Sequence, residues 1–500
     1  MGPIYDEQGV EQGGINSSDL YKVFGKEQLE LAQKSSLGVS LGNLTISGIG
    51  QADDTALLTN SIQKLFYLLE LTKIFCSKYQ VELCAEKTKL QAFSTKSTSF
   101  SVTLSMAANP IKINGDDIKL SSTAEHVGLL RCTSGNGPAI LERFTAHRKA
   151  LRGVLQTGMA KGHRGNPAHS LQIDQMYAIP VLMSGLGSLV LSEQEINLID
   201  MHHKETLRCL LRLQQNTPRS VIYFMAGCLP GSALLHLRQL SLFGMITRLQ
   251  GSLLYQHASN ISSYNTISNK SWFHQIRKWC LLYGLPHPQE LLSSPLSKPG
   301  FKTLVKKKVI CYWETLLRTE AQPKPSLEYF KPSFMSLTSS HPMFTTAGSS
   351  PAKVSMALVQ SVMLSGRYRT EALCSHWSRN KAGVCLLSES CSNTVETVKH
   401  ILVDCPALEV FRTKMARYTA NHVTEKVPAE VGAILHQLCS RNNPQLCHIL
   451  LDCSSIPEVI SAVQLYGKEV LDYFYEVTRT WIYVLHRERL KMMGRWNPSY

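Results

Sequence analysis

Apolar residues recur with two different periods, and this divides the chain into an N-terminal part with strands and a longer helical part. Between Leu58 and Phe75 the apolar positions are three or four apart, which predicts an amphipathic helix ending near Lys78. Short apolar runs flank it at 44–60 and 111–120, and the Asn-Gly pair in the second run predicts a hairpin. We therefore predict mixed helices and strands over the first 130 residues.

From residue 138 onward the period is helical, so the predicted fold class is α+β. A Pro- and Ser-rich stretch at 321–352 predicts a linker or an irregular surface loop. The uncharged stretch 175–192 contains Pro180 and two glycines. We interpret it as a buried helical hairpin, because a membrane span needs about 20 predominantly apolar residues.

The net charge of +15 is unevenly distributed. Residues 141–320 contain 21 Lys and Arg against 9 Asp and Glu, so +12 of the charge lies there. A basic region of this kind predicts a polyanionic partner, with nucleic acid as the first candidate. Solvated basic helix faces are the alternative. The densest groups are Arg143, Arg148, Lys149, Arg152, Lys161 and Arg164, and later Lys306, Lys307 and Lys308.

The cysteines and the first residues bear on the compartment. Residues 1–18 are polar and lack the pattern of a secretory signal. The 14 cysteines are scattered singly, which favours reduced thiols. We therefore expect an intracellular protein of the nucleus or cytoplasm, neither secreted nor bound to a membrane.

Two adjacent carboxylates, Asp53 and Asp54, interrupt the apolar run "GIGQADDTALL". Burying such a pair is costly unless a cation lies between them. A tight turn between two strands can present them to the two Mg²⁺ ions of nucleotidyl transfer, although acidic surface turns are common. For a second pair, Asp116 and Asp117, a solvated turn after the Asn-Gly dipeptide is a sufficient explanation.

Four segments, taken in order, resemble the reverse transcriptases of non-LTR retrotransposons. They are the Gln8–Ser18 segment with Gln12, Gly13, Gly14, Ser17 and Ser18, the Gln51-Ala52-Asp53-Asp54 turn, Glu86-Lys87-Thr88-Lys89, and His126-Val127-Gly128-Leu129. The resemblance implies that the first contacts template and incoming nucleotide and the second binds the metals. It further implies that Lys87 assists the leaving group, and that His126, Val127 and Gly128 form the primer grip.

The same resemblance implies an architecture and an activity. A partial right-hand polymerase palm, a small antiparallel sheet with helices, would occupy 1–130, and a basic helical thumb or connection 131–320. The linker at 321–352, a zinc-knuckle-like Cys/His region at 353–425 and a helical region at 426–500 would follow. The implied activity is RNA-directed DNA synthesis, in which a DNA primer 3′-hydroxyl attacks a dNTP on an RNA template.

Three departures from the family pattern bear on activity. The family's first metal-binding aspartate lies upstream of the Gln-Gly segment, and no residue here matches it. Gln51 replaces the usual aromatic residue, and the usual Asn before Lys87 is missing. We expect little or no polymerase activity from this chain. The alternative is a catalytically inactive nucleic-acid-binding protein descended from a reverse transcriptase.

Cys385, Cys391, His400 and Cys405 form a candidate zinc set in "CLLSESCSNTVETVKHILVDC". Three cysteines and a histidine are an established tetrahedral combination, and the His-x₄-Cys ending resembles the C-terminal knuckle of the same elements. One α-helical face cannot carry both His400 and Cys405, so we expect Pro406 to end the helix and let Cys405 turn back. The alternative is three buried cysteines and a surface histidine.

The sequence leaves the roles of three residues near this set undecided. Cys374 and His376 are replacement ligands should Cys385 not take part. Trp377 can stack on a base, although a core role is the more common one for tryptophan.

Overall fold

Helices dominate the fold of this chain. The structure is a computed structural model and describes residues 16–41, 44–93, 110–154, 165–263, 271–376 and 382–495. The helices are α1 (Ser17–Lys34), α2 (Ile62–Tyr79), α3 (Gly137–Val154), α4 (Pro167–Ile173), α5 (Ile179–Leu182), α6 (Glu193–Leu210), α7 (Arg219–Ala226), α8 (Gly231–Thr247), α9 (Leu253–Ser263), α10 (Trp272–Tyr283), α11 (Pro288–Ser293), α12 (Lys298–Ala321), α13 (Pro342–Thr345), α14 (Pro351–Leu364), α15 (Glu371–Ser375), α16 (Glu409–Lys426), α17 (Ala429–Leu438), α18 (Leu446–Leu451), α19 (Pro457–Tyr466) and α20 (Val470–Met492).

The strands all precede α3 and pair as antiparallel neighbours. They are β1 (Val39–Leu41), β2 (Leu44–Ile46), β3 (Gly48–Gln51), β4 (Asp54–Leu57), β5 (Lys112–Ile113), β6 (Asp116–Asp117), β7 (Thr123–His126) and β8 (Leu129–Cys132). Each consecutive pair forms a two-stranded ladder, and within the described ranges the ladders do not join into a larger sheet. The α+β class is therefore confirmed, while the polymerase palm stays a prediction.

The chain divides into two units. Unit 1 comprises 1–143, 184–195 and 238–305, and unit 2 comprises 144–183, 196–237 and 306–500. Unit 1 contains all the strands together with α1, α2, α9, α10 and α11. Unit 2 contains α4, α5, α7 and every helix from α13 to α20. The sequential division into domains expected from the sequence stays a prediction.

Unit 1 has a small apolar core beneath α2. Ile111, Ile113 and Ile118 from the β5–β6 segment are buried and pack against Leu65 and Leu69 of α2. The predicted Asn-Gly hairpin is confirmed, because Asn114 and Gly115 have φ of 53° and 90° and connect β5 directly to β6. Two positive φ values in a two-residue loop are the signature of a type I′ turn.

Unit 2 is organised around α20. Its side chains Phe474, Tyr475 and Trp481 are completely buried, and α14, α16, α18 and α19 pack against this helix. The expected linker at 321–352 instead contributes to this unit. It forms short helical turns and buries apolar side chains, which are Leu327, Phe330, Leu337, Met343 and Phe344.

The uncharged stretch near 175–192 is helical over much of its length. A π-helical turn, Asp174–Ala178, leads into α5, and a 3₁₀ turn follows at Leu186–Ser188. Across the described part of the chain no single helix has both the length and the apolar composition to cross a membrane. One bent pair, Arg219–Ala226 with Gly231–Thr247, meets those criteria only when its two members are taken together.

A buried ion pair connects α20 to the Cys/His segment of unit 2. Arg489 donates from Nε and Nη2 to the two carboxylate oxygens of Glu396, at 2.9 and 2.7 Å. The Glu371 backbone N–H donates to the same carboxylate at 2.6 Å. Because neither charged group is exposed, removing one leaves the other buried without its counter-charge.

We expect Glu396→Gln to destabilise unit 2 by about 3–5 kcal/mol, since Arg489 loses its buried counter-charge. The matched control is Glu476→Gln, which breaks the half-exposed pair with Lys353 and costs about 0–1 kcal/mol. Amide hydrogen exchange over α20, with urea unfolding of the whole chain, measures both variants. Equal losses of protection would contradict the central role of the Glu396–Arg489 pair.

Candidate metal centre and acidic hairpin

Asp53 and Asp54 lie at the tip of the β3–β4 hairpin, where the sequence predicts a tight turn. Gln51 pairs with Asp54, so Ala52 and Asp53 form a two-residue loop. Ala52 has a φ of 51°, which is uncommon for a residue with a side chain and closes the loop tightly. Both carboxylates are exposed. The strand–turn–strand prediction is confirmed, and the acidic pair faces solvent.

Helix α1 packs on this hairpin through two glycines. A Cβ at Gly50 would lie 2.9 Å from Leu29 Cδ1, and one at Gly48 would lie 3.3 Å from Leu29 Cδ2. The absence of side chains thus lets the helix approach the strand closely. Burial, followed by the negative charge of Asp53, raises the pKa of Tyr21 on α1. A cavity of about 360 Å³ lies between α1 and the hairpin, and its lining includes Tyr21 and Ala52.

The structure describes only some of the residues that are expected to contact the template. Gln12, Gly13 and Gly14 lie outside the described residues. Ser17 and Ser18 are the first two residues of α1, and Asn16 precedes them as the N-cap without a side-chain capping hydrogen bond. Both serines therefore lie inside the helix, after its N-cap.

Lys87 lies in an exposed turn at 85–87. No hydrogen bond or ion pair within the described ranges joins it to Asp53 or Asp54. A role for Lys87 in assisting a leaving group therefore stays a prediction.

The expected primer grip forms the tip of the β7–β8 hairpin. His126 pairs with Leu129, and Val127 and Gly128 have φ of 52° and 67°. A positive φ at a β-branched residue is a strained conformation. Val127 is also 59% exposed, so the turn presents a strained apolar side chain to solvent.

The acidic hairpin does not form a complete metal site from the described residues. Among those residues, the only group of three or more potential His, Cys or carboxylate ligands is the Cys/His cluster of unit 2. Mg²⁺ prefers octahedral oxygen coordination and is held by carboxylates together with water and substrate phosphates. Asp53 and Asp54 could supply part of such a set, and among the described residues no third carboxylate joins them.

Cys385, Cys391, His400 and Cys405 converge at one point in unit 2. Each can offer a ligand atom, and these atoms all lie within 4.8 Å of one another. The four side chains are 5% exposed or less, and the Sγ atoms of Cys385 and Cys405 are 3.9 Å apart. His400 Nε2 is buried and has no hydrogen-bond partner in the described structure. This cluster can hold a metal ion.

A π-helical turn brings His400 and Cys405 together. Five residues advance an α-helix to about 140° from the starting direction, so an α-helix would separate these two side chains. The Cys405 backbone N–H instead donates to the His400 carbonyl at 2.7 Å, which closes an i to i+5 turn over His400–Asp404. Cys405 is then extended, with φ −63° and ψ 117°, as expected before Pro406.

The other two ligands lie on a short closed loop. The Cys385 backbone N–H donates to the Thr394 carbonyl at 2.9 Å, and the Thr394 N–H donates to the Cys391 carbonyl at 2.9 Å. A 3₁₀ turn, Glu389–Cys391, shortens the path between the cysteines. This turn thus allows Cys385 and Cys391 to lie close together despite the five residues between them.

Burial dominates the electrostatics of the cluster. It raises the pKa of the Cys385 thiol to about 12, raises that of Cys405, and lowers that of His400. A metal ion must therefore displace protons from the Cys385 and Cys405 thiols on binding. The alternative with a surface histidine is wrong, because His400 is 5% exposed. Cys374 and His376 do not belong to the cluster, and Trp377 lies outside the described residues.

Sequence reasoning missed a second polar network in unit 2. His147 Nε2 lies 3.0 Å from Asp174 Oδ1, and His147 Nδ1 lies 3.0 Å from His202 Nε2. His147 and Asp174 are completely buried, and burial, ahead of the nearby charges, lowers the pKa of His202 to about 4. Three separate elements supply these residues, so no spacing in the sequence could have indicated the network.

Comparison with models of known protein families and with curated proteins finds no match for this chain.

We expect Co²⁺ to give the charge-transfer and ligand-field absorption of a tetrahedral thiolate site when added to the reduced protein. Cys405→Ser should lose about a third or more of the charge-transfer intensity, because one of three sulfur donors is removed. Cys439→Ser is the matched control, since this cysteine is 4% exposed but lies outside the cluster. Identical spectra from the two variants would contradict a metal site at Cys405.

Proposed function

We propose that this chain is a nucleic-acid-binding protein descended from a reverse transcriptase of the non-LTR retrotransposon type. The observation that carries the proposal is the packing of α1 on the Asp53–Asp54 hairpin. The serines at the start of that helix and the acidic turn follow in the order of the family motifs. The Val127–Gly128 turn comes later in the chain, as the primer grip does. The start of α1, the acidic turn and the Val127–Gly128 turn thus follow one another in the order of the family motifs.

Zinc is the metal that we propose for the Cys385–Cys391–His400–Cys405 cluster. Two sulfurs bound tetrahedrally at about 2.3 Å lie about 3.8 Å apart, close to the 3.9 Å between Cys385 and Cys405. Four enclosed ligands with no open position are typical of structural rather than catalytic zinc. The ion would stabilise the loop and π turn and supply no reaction chemistry.

The basic residues support a nucleic-acid partner. Arg148, Lys149 and Arg152 are exposed on α3, and Lys306, Lys307 and Lys308 are exposed on α12. Contacts of such side chains with phosphates give an affinity that depends on salt and not on sequence. Of the earlier basic group, Arg143 is paired with Glu142, and Lys161 and Arg164 lie outside the described residues. An RNA template paired with a DNA primer is the partner that the family resemblance favours.

Polymerase activity is the second candidate function. In that case Asp53 and Asp54 would bind two Mg²⁺ ions, which supply the clamp for the attacking and leaving oxygens. Lys87 would stabilise the pyrophosphate leaving group. The exposed, adjacent carboxylates favour this candidate, and the lack of a third described carboxylate beside them favours the binding protein.

We expect about one zinc per chain in protein purified without added metal. Cys391→Ser and His400→Ala should reduce that content and destabilise unit 2, because the buried ligands lose their cation. Elemental analysis measures the content, and Cys447→Ser, at a buried cysteine outside the cluster, is the control. Metal-free protein with an unchanged melting temperature after chelation would overturn the zinc proposal.

We expect the chain to bind an RNA–DNA primer–template with an affinity that falls steeply with salt, and to extend the primer only at background. Asp53→Asn should then leave extension unchanged, as should the control Asp116→Asn in the β5–β6 hairpin. Anisotropy and primer extension with Mg²⁺ measure the two properties.

Extension lost in Asp53→Asn but kept in Asp116→Asn would favour the polymerase over the binding protein. An affinity below detection at low salt would contradict both functions.

A further inference from the structure

Unit 2 contains a cleft lined by two arginines and three amide side chains. Its volume is about 410 Å³, and the lining residues are Gln214, Gln215, Asn216, Arg367 and Arg369. The amides belong to the connection between α6 and α7, and the arginines to the connection between α14 and α15. A volume of this size is in the range of pockets that hold small ligands.

The two arginines have no carboxylate partner in the described structure. Among the described residues no ion pair or side-chain hydrogen bond involves either guanidinium, and Arg367 Nε is buried without a hydrogen-bond acceptor. Buried polar groups in folded proteins are nearly always hydrogen-bonded, and an unpaired buried donor costs about 1–3 kcal/mol. No carboxylate of the described residues therefore competes with an anion for the two guanidinium groups of the cleft.

Two acidic residues that are held close to this segment, Glu371 and Glu396, are already paired with other arginines. Glu371 accepts from Arg495 at 2.8 Å, and Glu396 accepts from Arg489. These pairs neutralise one another and leave the charges of Arg367 and Arg369 uncompensated. The positive charge of the cleft thus comes from its own two arginines and not from the average charge of the chain.

The backbone that carries the arginines is fixed. Gly366 has a φ of 67°, and a Cβ there would lie 2.1 Å from the Ser326 carbonyl oxygen, so only glycine fits. Tyr368, between the arginines, is 7% exposed and has the Arg489 guanidinium 5.5 Å from its ring centroid. Arg489 Nη2 also donates to the Arg369 carbonyl at 3.2 Å. The two guanidinium groups are therefore presented by a rigid segment.

We propose that this cleft is a phosphate-binding site that takes a phosphodiester of a nucleic-acid strand. Arginine binds phosphate oxygens through two parallel N–H donors, and amide N–H groups complete such a site without adding charge. The planar guanidinium group, with its two parallel donors, distinguishes the arginines of this cleft from the exposed lysines of α12, which act as point charges. The nucleic-acid part of the proposal rests on the proposed function, whereas the phosphate chemistry rests only on the cleft.

The wild-type protein gives the first test. Phenylglyoxal modification followed by mass spectrometry reports the accessibility of single arginines. We expect inorganic pyrophosphate and a thymidine oligonucleotide each to protect Arg369, and to leave the exposed Arg277 unprotected. Polyglutamate should not protect Arg369, and protection as strong as that by the oligonucleotide would overturn the assignment to phosphate.

Paired variants give the second test. Arg367→Gln with Arg369→Gln should lower affinity for the oligonucleotide roughly 25-fold at 0.1 M salt and reduce the salt slope by about 1.4, for two lost single-strand phosphate contacts. The control, Lys331→Gln with Lys468→Gln, removes the same charge from exposed positions outside the cleft and should leave the slope unchanged. Replacing Arg369 by lysine instead of glutamine (Arg369→Lys) should recover part of this affinity. Lysine restores the positive charge but lacks the two parallel donors of the guanidinium group.

The failures of the two proposals differ. If the oligonucleotide binds but the arginine and lysine variants show equal slopes, the phosphate site is wrong and the proposed function stands. If the oligonucleotide does not bind but pyrophosphate protects Arg369, the site stands and the nucleic-acid function is wrong. Melting temperatures equal to that of the wild type confirm that the variants are folded.

Discussion

The buried pair of Glu396 and Arg489 is the constraint on which the sites of unit 2 depend. Removing two charges from water costs several kcal/mol per ion unless every lone pair and proton is satisfied. Here the carboxylate accepts from two guanidinium nitrogens and from the Glu371 backbone N–H. The pair therefore specifies one arrangement of α20, the start of α15 and the segment that precedes His400.

Both candidate sites of unit 2 use this arrangement. Glu396 lies four residues before His400, so fixing its carboxylate fixes the start of the π turn that supplies His400 and Cys405. Arg489 also reaches the Arg369 carbonyl and the Tyr368 ring, which orients the segment carrying Arg367 and Arg369. One ion pair thus supports both the cluster that can hold a metal ion and the cleft proposed to bind phosphate.

Local signals made part of the fold predictable. Helix α2 follows from apolar spacing, and the β5–β6 hairpin from Asn114-Gly115, because both depend on neighbouring residues.

For Cys405 the sequence correctly indicated that the residue turns back toward His400, but it gave only part of the cause. We expected Pro406 alone to redirect the chain, whereas one extra residue in the last turn of the helix already brings Cys405 under His400. The Pro and Ser content of 321–352 does not indicate that Phe330 and Phe344 are buried, so the core contribution of this stretch could not be predicted. The Glu396–Arg489 pair and the arginine cleft join residues far apart in sequence, which no local pattern encodes.

The two groups of metal-ligating residues differ in what their surroundings permit. At the Cys/His cluster the ligands are enclosed, and the described structure gives His400 Nε2 no hydrogen-bond partner, so a cation can occupy the space between them. At the acidic hairpin Asp53 and Asp54 are exposed, and water satisfies them without any metal. Enclosed ligands make metal binding a contribution to folding, whereas exposed carboxylates bind Mg²⁺ only with help from substrate phosphates. The enclosed cluster therefore needs no substrate to bind a metal, whereas the exposed carboxylates do. Under the proposed descent, loss of catalysis at the hairpin need not disturb unit 2, because the Cys/His cluster and the arginine cleft are built from residues of unit 2 alone.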